Sequence, residues 1–293
     1  SDAITGQQAL RRQHQRLCRQ KNETGRQLAR VMIHPYRESV LSQLYPGHQH
    51  SSNCLVPAVS TFETALGLPE QFRHKCVWRV DQGFGGDANI NWLLDRQYQL
   101  IAKGCSNRRV AKLAKEVQRW RTIRDDKLVG QAPTPEKFVR PVDTFVIRYQ
   151  TRKGWKHSYL LSTLNLSGIA TTRFYDQRGG AETEFRTDKS GGAHLDKRRK
   201  HKRDAQEDWV LLADMNHNLI SWLSRQILAD SPFESYGFLR ISRDLFRIPG
   251  LIKMENGRLL SVKLLRSSPH AADLIDCLRS EEHTSELQSR PDL

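Results

Sequence analysis

The stretch YDQRGGAETEFRTDK, from Tyr175 to Lys189, gathers groups that could handle a phosphodiester: an aromatic hydroxyl at Tyr175, a guanidinium at Arg178, a carboxylate at Glu182 and an ammonium at Lys189. On a helix of about 3.6 residues per turn, Arg178, Glu182 and Lys189 return to one face, an acid flanked by two bases. That face suits a metal ion held against DNA, with Glu182 as a ligand while Arg178 and Lys189 neutralise neighbouring phosphates. The plainer alternative is a solvated helix with ordinary i,i+4 charge pairs. Gly179 and Gly180 each cost a helix about 1 kcal/mol relative to Ala. The regular part is therefore expected from Ala181, with Ser190, Gly191 and Gly192 stopping it.

A second acid stands upstream in a different setting. Cys76–Val80, CVWRV, is short, β-branched and aromatic, and it runs into Asp81 followed by Gly83, Gly85 and Gly86. A carboxylate at the C-terminal end of a strand, beside a glycine turn, is where open α/β sheets hold ligand-binding groups. The alternative makes Asp81 a turn residue ahead of a helix from Asp87 to Arg96, with Asp87 the better helix cap. Tyr98 to Lys103 then reads as a returning strand.

Taken together, these residues carry a resemblance. Tyr, two residues, Arg, three residues, Glu, six residues, Lys is the signature of one branch of the DDE insertion-sequence transposases, and the spacing here fits without a gap. The segment VWRVDQGFGGDANINWLLDRQYQLIAKG, Val77 to Gly104, looks like the second-aspartate block of the same family. With GRQLARV near the start and the basic run after Lys189, the similarity extends to about Pro249.

The resemblance implies an α/β fold: an RNase H-like mixed sheet flanked by helices, with a β-rich insertion between the second and third acids. It implies that Asp81 and Glu182 are catalytic metal ligands, and that Tyr175, Arg178 and Lys189 contact terminal DNA phosphates. Two Mg²⁺ ions, replaceable by Mn²⁺, would sit about 3.5–4 Å apart, one activating the attacking water or 3′-hydroxyl and the other stabilising the leaving oxygen. The implied partners are double-stranded DNA, both terminal inverted repeats and target, and a second copy in a DNA-bound dimer. The implied location is the bacterial cytoplasm, at the nucleoid.

The first acid departs from the family pattern, which places an Asp two residues before the Thr of a Thr-Gly pair. The pair here is Thr5 and Gly6, and that position is Ala3. Asp2 is the nearest candidate, one place early, and a shift of one along a strand turns a side chain to the opposite face. Either Asp2 fills the role through a local distortion, or this copy lacks its first ligand and is a non-catalytic DNA-binding remnant. An RNase H-fold nuclease would share the acids but not the Tyr-Arg-Glu-Lys spacing.

Composition agrees with a polyanion partner, the formal net charge being +15 and the sequence pI about 9.9. No apolar run approaches the ~20 residues that span a bilayer, which counts against a membrane partner. The five cysteines are odd in number and contain no CxxC pair, so they read as reduced thiols. Lys197–Arg203, KRRKHKR, is a near-continuous basic run, and Lys197, Arg198, Arg199 and Lys200 are read as phosphate contacts rather than a merely solvated face. Gln7–Gln27, with Glu23 its only acid, is either a basic loop on phosphates or a solvated connection.

The elements around these sites follow from periodicity. Short apolar clusters at Gln27–His34 and Glu38–Tyr45 suggest strands, the second equally a helical turn. Cys54–Leu66 has a helical stripe at Leu55, Val59, Phe62 and Leu66. Asn107–Arg119 reads as a basic amphipathic helix, Val110, Leu113 and Val117 inward and Arg108, Arg109, Lys112, Lys115 and Arg119 largely outward. Trp120–Pro141, with three prolines, reads as loop. Thr144–Tyr149 and Lys156–Thr163 alternate about Lys153 and Gly154 as a hairpin.

Trp209–Leu228 carries Leu212, Met215, Leu219, Trp222, Leu223 and Ile227, a stripe expected to pack on the sheet. The expected division is a first core part at 1–104, an insertion at 105–165, a second core part at 166–230 and a C-terminal segment at 231–278. Residues 279–293 contain RSEEHTSELQS, which resembles a translated sequencing adapter and is expected to be no part of the fold.

Overall fold

A computed structural model of the chain describes residues 26–34, 36–177, 195 and 202–288, with side chains through 279. It falls into two compact units. The first holds the described residues up to 177 apart from 36–38; the second holds 36–38 and the described residues from 195 onward.

The first unit is a mixed α/β domain. Its chain runs β1 (Arg26–Ile33), β2 (Glu38–Pro46), α1 (Leu55–Leu66), β3 (Val77–Val80), α2 (Asp87–Asp95), β4 (Gln99–Lys103) and α3 (Asn107–Glu116). It continues through β5 (Trp120–Arg124), β6 (Lys127–Ala132), β7 (Asp143–Thr151), β8 (Gly154–Ser162) and α4 (Gly168–Asp176). β1 and β2 pair as a two-stranded sheet, and the other six strands form one sheet in the order β3-β4-β8-β7-β6-β5. β3 and β4 are parallel, joined by α2, and every other neighbouring pair in that sheet is antiparallel. This six-stranded mixed sheet flanked by helices matches the expected RNase H-like architecture, and the strand-rich stretch does lie between Asp81 and position 182.

Strand alternation divides the core between the two faces of the sheet. Trp78 and Val80 of β3, Leu100 and Ala102 of β4, Val146 of β7 and Tyr159 of β8 pack with α1, α2 and α3 on one face. Ile101, Val129, Phe145, Ile147 and Leu160 point the other way and receive Tyr175, Phe174 and Ile169 from α4. The helices end as their residues dictate. Gly67 closes α1 at φ +56, a conformation costly for a residue with a Cβ. Ser106 and Ser167 cap α3 and α4 by accepting the amides of Arg109 and Ala170.

One buried charge cluster braces this unit. Glu63 of α1, itself 9% exposed, accepts from the Tyr98 hydroxyl at 2.5 Å and from Arg96 at both nitrogens of its fork. It also pairs with Arg73 Nε at 3.0 Å. Burial works to raise the Glu63 pKa, but the hydrogen bonds from Arg96 and Tyr98 and the charges of Arg96 and Arg73 outweigh it and leave it lowered.

Several expectations are corrected. Trp120–Pro141 is not all loop, since β5 and β6 occupy its first half and the prolines at 133, 135 and 141 all follow Ala132. β5, WRTIR, is a largely exposed edge strand with arginines at 121 and 124 and little apolar alternation to announce it. Arg109 is not outward, because it turns to Asp87 of α2. Asp87 in turn does not cap its helix: Gly86 holds that position without a side-chain cap.

In the second unit, α5 (Arg203–Gln226) is the long expected helix, but Leu212, Met215, Leu219 and Trp222 are exposed. Its buried face instead carries Val210, Ala213, Asp214, His217, Ile220 and Ser221. The polar members find partners there: His217 and Ser221 both reach the Arg37 carbonyl, at 2.7 and 3.1 Å. Ile220, with Leu223 and Ile227 beside it, packs with Phe233, Phe238, Ile241 and Leu245. A short α6 (Phe238–Arg240), the hairpin β9 (Gly250–Glu255) and β10 (Arg258–Leu264), and α7 (Ala271–Gln288) follow among the described residues.

Candidate active site

β3 supplies the strand-end acid. Trp78 and Val80 face the α1–α3 side, so period-two alternation sends Arg79 and Asp81 toward α4. Both are buried, at 5% exposure. Asp81 leads directly into the glycine turn, closed by the Phe84 amide donating to the Asp81 carbonyl at 2.9 Å. Phe84 is fully buried and plugs the turn into the α1–α3 side of the core. Gly85 has no room for a side chain, since a Cβ there would lie 1.9 Å from the Lys103 carbonyl oxygen at the end of β4.

α4 brings the first residue of the signature to that acid. Tyr175, buried in the last turn of α4, donates its hydroxyl to Asp81 Oδ1 at 3.3 Å across 94 positions of sequence. One residue earlier, the Phe174 carbonyl accepts from Arg79 Nη1 at 3.2 Å, and the Arg79 guanidinium lies 5.5 Å from the Phe174 ring centroid. On the other flank Lys127 of β6 pairs with Asp176. α4 is therefore tied to the sheet by polar contacts on both sides of Tyr175. Arg79 escaped sequence reasoning, although a basic residue in a strand of buried apolar residues, two places before the acid and on the same face, was the signal.

Of the residues singled out from sequence, Asp81 and Tyr175 are thus brought together. Asp2, Arg178, Glu182, Lys189, Lys197, Arg198, Arg199 and Lys200 lie outside the described residues, as does the expected helix from Ala181 to its glycine stop. Among the described residues no cluster of three or more His, Cys, Asp or Glu side chains could hold a metal ion. The chemistry of Asp81, the one expected metal ligand among the described residues, nevertheless fits: an oxygen donor at a strand end is the hard ligand that Mg²⁺ takes, and a single carboxylate needs further acids beside it. Among the described residues no helix is long and apolar enough to cross a membrane, and the described cysteines, Cys54, Cys76, Cys105 and Cys277, are free thiols.

Comparison with known proteins adds an independent result. No curated protein matches the chain. The family model for the transposase DDE domain matches residues 8–219, well over half of the chain, a range that takes in Asp81 and the whole Tyr175–Lys189 stretch but begins after Asp2. A strand-end acid met by the signature tyrosine on a mixed sheet, together with that match, leads to one conclusion: the chain belongs to the DDE transposases, a family whose activity is the nuclease chemistry of DNA transposition.

Proposed function

We propose that this chain is an insertion-sequence transposase of the Tyr-Arg-Glu-Lys signature branch, which cleaves DNA at the ends of its element and joins them to a target in cut-and-paste transposition. The observation that carries the reading is the hydrogen bond from Tyr175 to Asp81, because it brings the start of the signature to the strand-end acid. Asp81 and Glu182, with Asp2 as the candidate third acid, are proposed as the ligands of Mg²⁺. When bound, the metal would supply an activated oxygen nucleophile and stabilise the leaving oxygen.

The chain's own residues supply positioning and charge. Tyr175 orients the Asp81 carboxylate by donating to one of its oxygens. Arg178 and Lys189 neutralise phosphates at the scissile end, and Lys197, Arg198, Arg199 and Lys200 extend that contact along the duplex. Cleavage and joining at two ends would be performed by a dimer assembled on DNA.

The test is end cleavage by Asp81→Asn and Glu182→Ala with Mg²⁺ or Mn²⁺. Both variants should lose cleavage while retaining binding to a terminal-repeat duplex. A variant that cuts at the normal rate would remove its residue from the site. If the unmutated chain binds DNA yet does not cut, it is a DNA-binding remnant.

A further inference from the structure

We infer that Arg109 is a positioning residue for Asp81: through Asp87 and Tyr159 it holds the far end of the glycine turn from which that carboxylate projects. This rests on Asp81 being a metal ligand, as proposed above. Arg109 of α3 bonds Asp87 with both ends of its fork, Nη1 to Oδ1 and Nη2 to Oδ2, each at 2.6 Å. Nη1 also reaches the Tyr159 hydroxyl at 3.2 Å. Paired N–H donors on a carboxylate fix direction as well as distance, which a lysine cannot do. The hydrogen bonds to Arg109 hold the Asp87 carboxyl below the usual range.

These contacts close a ring around the turn. Asp87 stands in the first turn of α2, directly after Gly85 and Gly86. Tyr159 belongs to β8, and its ring covers Gly104, where a Cβ would come within 1.9 Å of Cζ. The Gly104 amide donates to the Tyr159 carbonyl at 3.0 Å. Gly104 follows Lys103, and the Lys103 carbonyl is the atom against which Gly85 is pressed.

Gly85 therefore lies against the end of β4, and Arg109 ties the exit of the turn to the tyrosine that covers that same end. A turn with glycines at 83, 85 and 86 has little conformational preference of its own. The Phe84 and Gly85 amides close it internally on the Asp81 and Gln82 carbonyls, and contacts outside the turn fix where its exit is held. Arg109 does so without touching the acid.

The experiment compares wild type, Arg109→Lys, Tyr159→Phe and Asp81→Asn in three measurements made without DNA: Mn²⁺ binding by electron paramagnetic resonance, amide hydrogen exchange over residues 82–88, and melting temperature. Arg109→Lys, which keeps the charge and loses the fork, should speed exchange in the turn and weaken Mn²⁺ binding about tenfold, the low end for residues that orient a metal ligand. Tyr159→Phe should move both in the same direction by less. Arg109→Lys with unchanged turn exchange and unchanged Mn²⁺ affinity, whatever its melting temperature, overturns the inference and leaves an ion pair that only stabilises the fold. Unchanged Mn²⁺ binding in Asp81→Asn overturns the metal-site reading, and the positioning role with it. Lost binding in Asp81→Asn beside normal binding in Arg109→Lys overturns the positioning role alone.

Discussion

Replacing Tyr175 by Phe removes one hydroxyl and keeps the ring. The ring stays packed with Ile101, Val129, Phe145, Ile147 and Leu160, so the substitution opens no cavity. Among the described contacts, the one that disappears is the hydrogen bond from this buried hydroxyl to Asp81 Oδ1. Hydrogen bonds to charged groups contribute about 1.5–3 kcal/mol. At 3.3 Å this one is longer than the usual 2.5–3.0 Å for O–H···O contacts, which puts it at or below the low end, about 1–1.5 kcal/mol.

If that energy orients the carboxylate for metal, its loss should appear as a five- to tenfold rise, approximately, in the Mg²⁺ concentration needed for half-maximal end cleavage, since about 1.4 kcal/mol is tenfold in an equilibrium constant. The assay is cleavage of a terminal-repeat duplex across a Mg²⁺ titration, with DNA affinity measured in parallel. A Phe variant with an unmoved Mg²⁺ midpoint and weakened DNA binding would refute the reasoning, because the hydroxyl would then serve a phosphate rather than Asp81.

Three further outcomes are expected. Glu63→Gln should destabilise the protein by about 3 kcal/mol at neutral pH, since it leaves Arg73 and Arg96 without their buried partner. Because the folded-state pKa of Glu63 is lowered, its contribution is present above the unfolded pKa of about 4.3 and is lost as pH falls through the folded value; the melting-temperature gap between wild type and Glu63→Gln should therefore narrow on acidification below about pH 4, and a constant gap would contradict this. Gly85→Ala forces a Cβ onto the Lys103 carbonyl and should cost about 1–3 kcal/mol of stability together with most cleavage, while a native melting curve with full activity would show that the turn yields freely. Lys189→Ala should weaken DNA binding and make its salt dependence shallower by roughly one phosphate contact, and an unchanged slope would place Lys189 away from the backbone.

Much of this protein was readable one residue after another, because local chemistry decides it. The strand-helix-strand unit around Asp81 follows from β-branched residues beside a glycine turn, and α1 follows from the stripe at Leu55, Val59 and Phe62, although Leu66, placed on the same stripe, is exposed. The four-residue signature spacing is likewise a property of the chain as written. Partnerships across long separations were not readable. Tyr175 and Asp81 stand 94 positions apart, and only the stacking of α4 on the Asp81 side of the sheet makes them neighbours.

The same holds for Arg109, which on its own helix looks like one more solvated base and acquires a role only because α2 presents Asp87 to it. The buried face of α5 was misread for a related reason: amphipathic spacing says that a helix has an apolar stripe, whereas His217 and Ser221 reaching the Arg37 carbonyl show which side faces inward. Periodicity encodes how a segment folds on itself, and the side it turns inward is set by what the rest of the chain offers to bury against it.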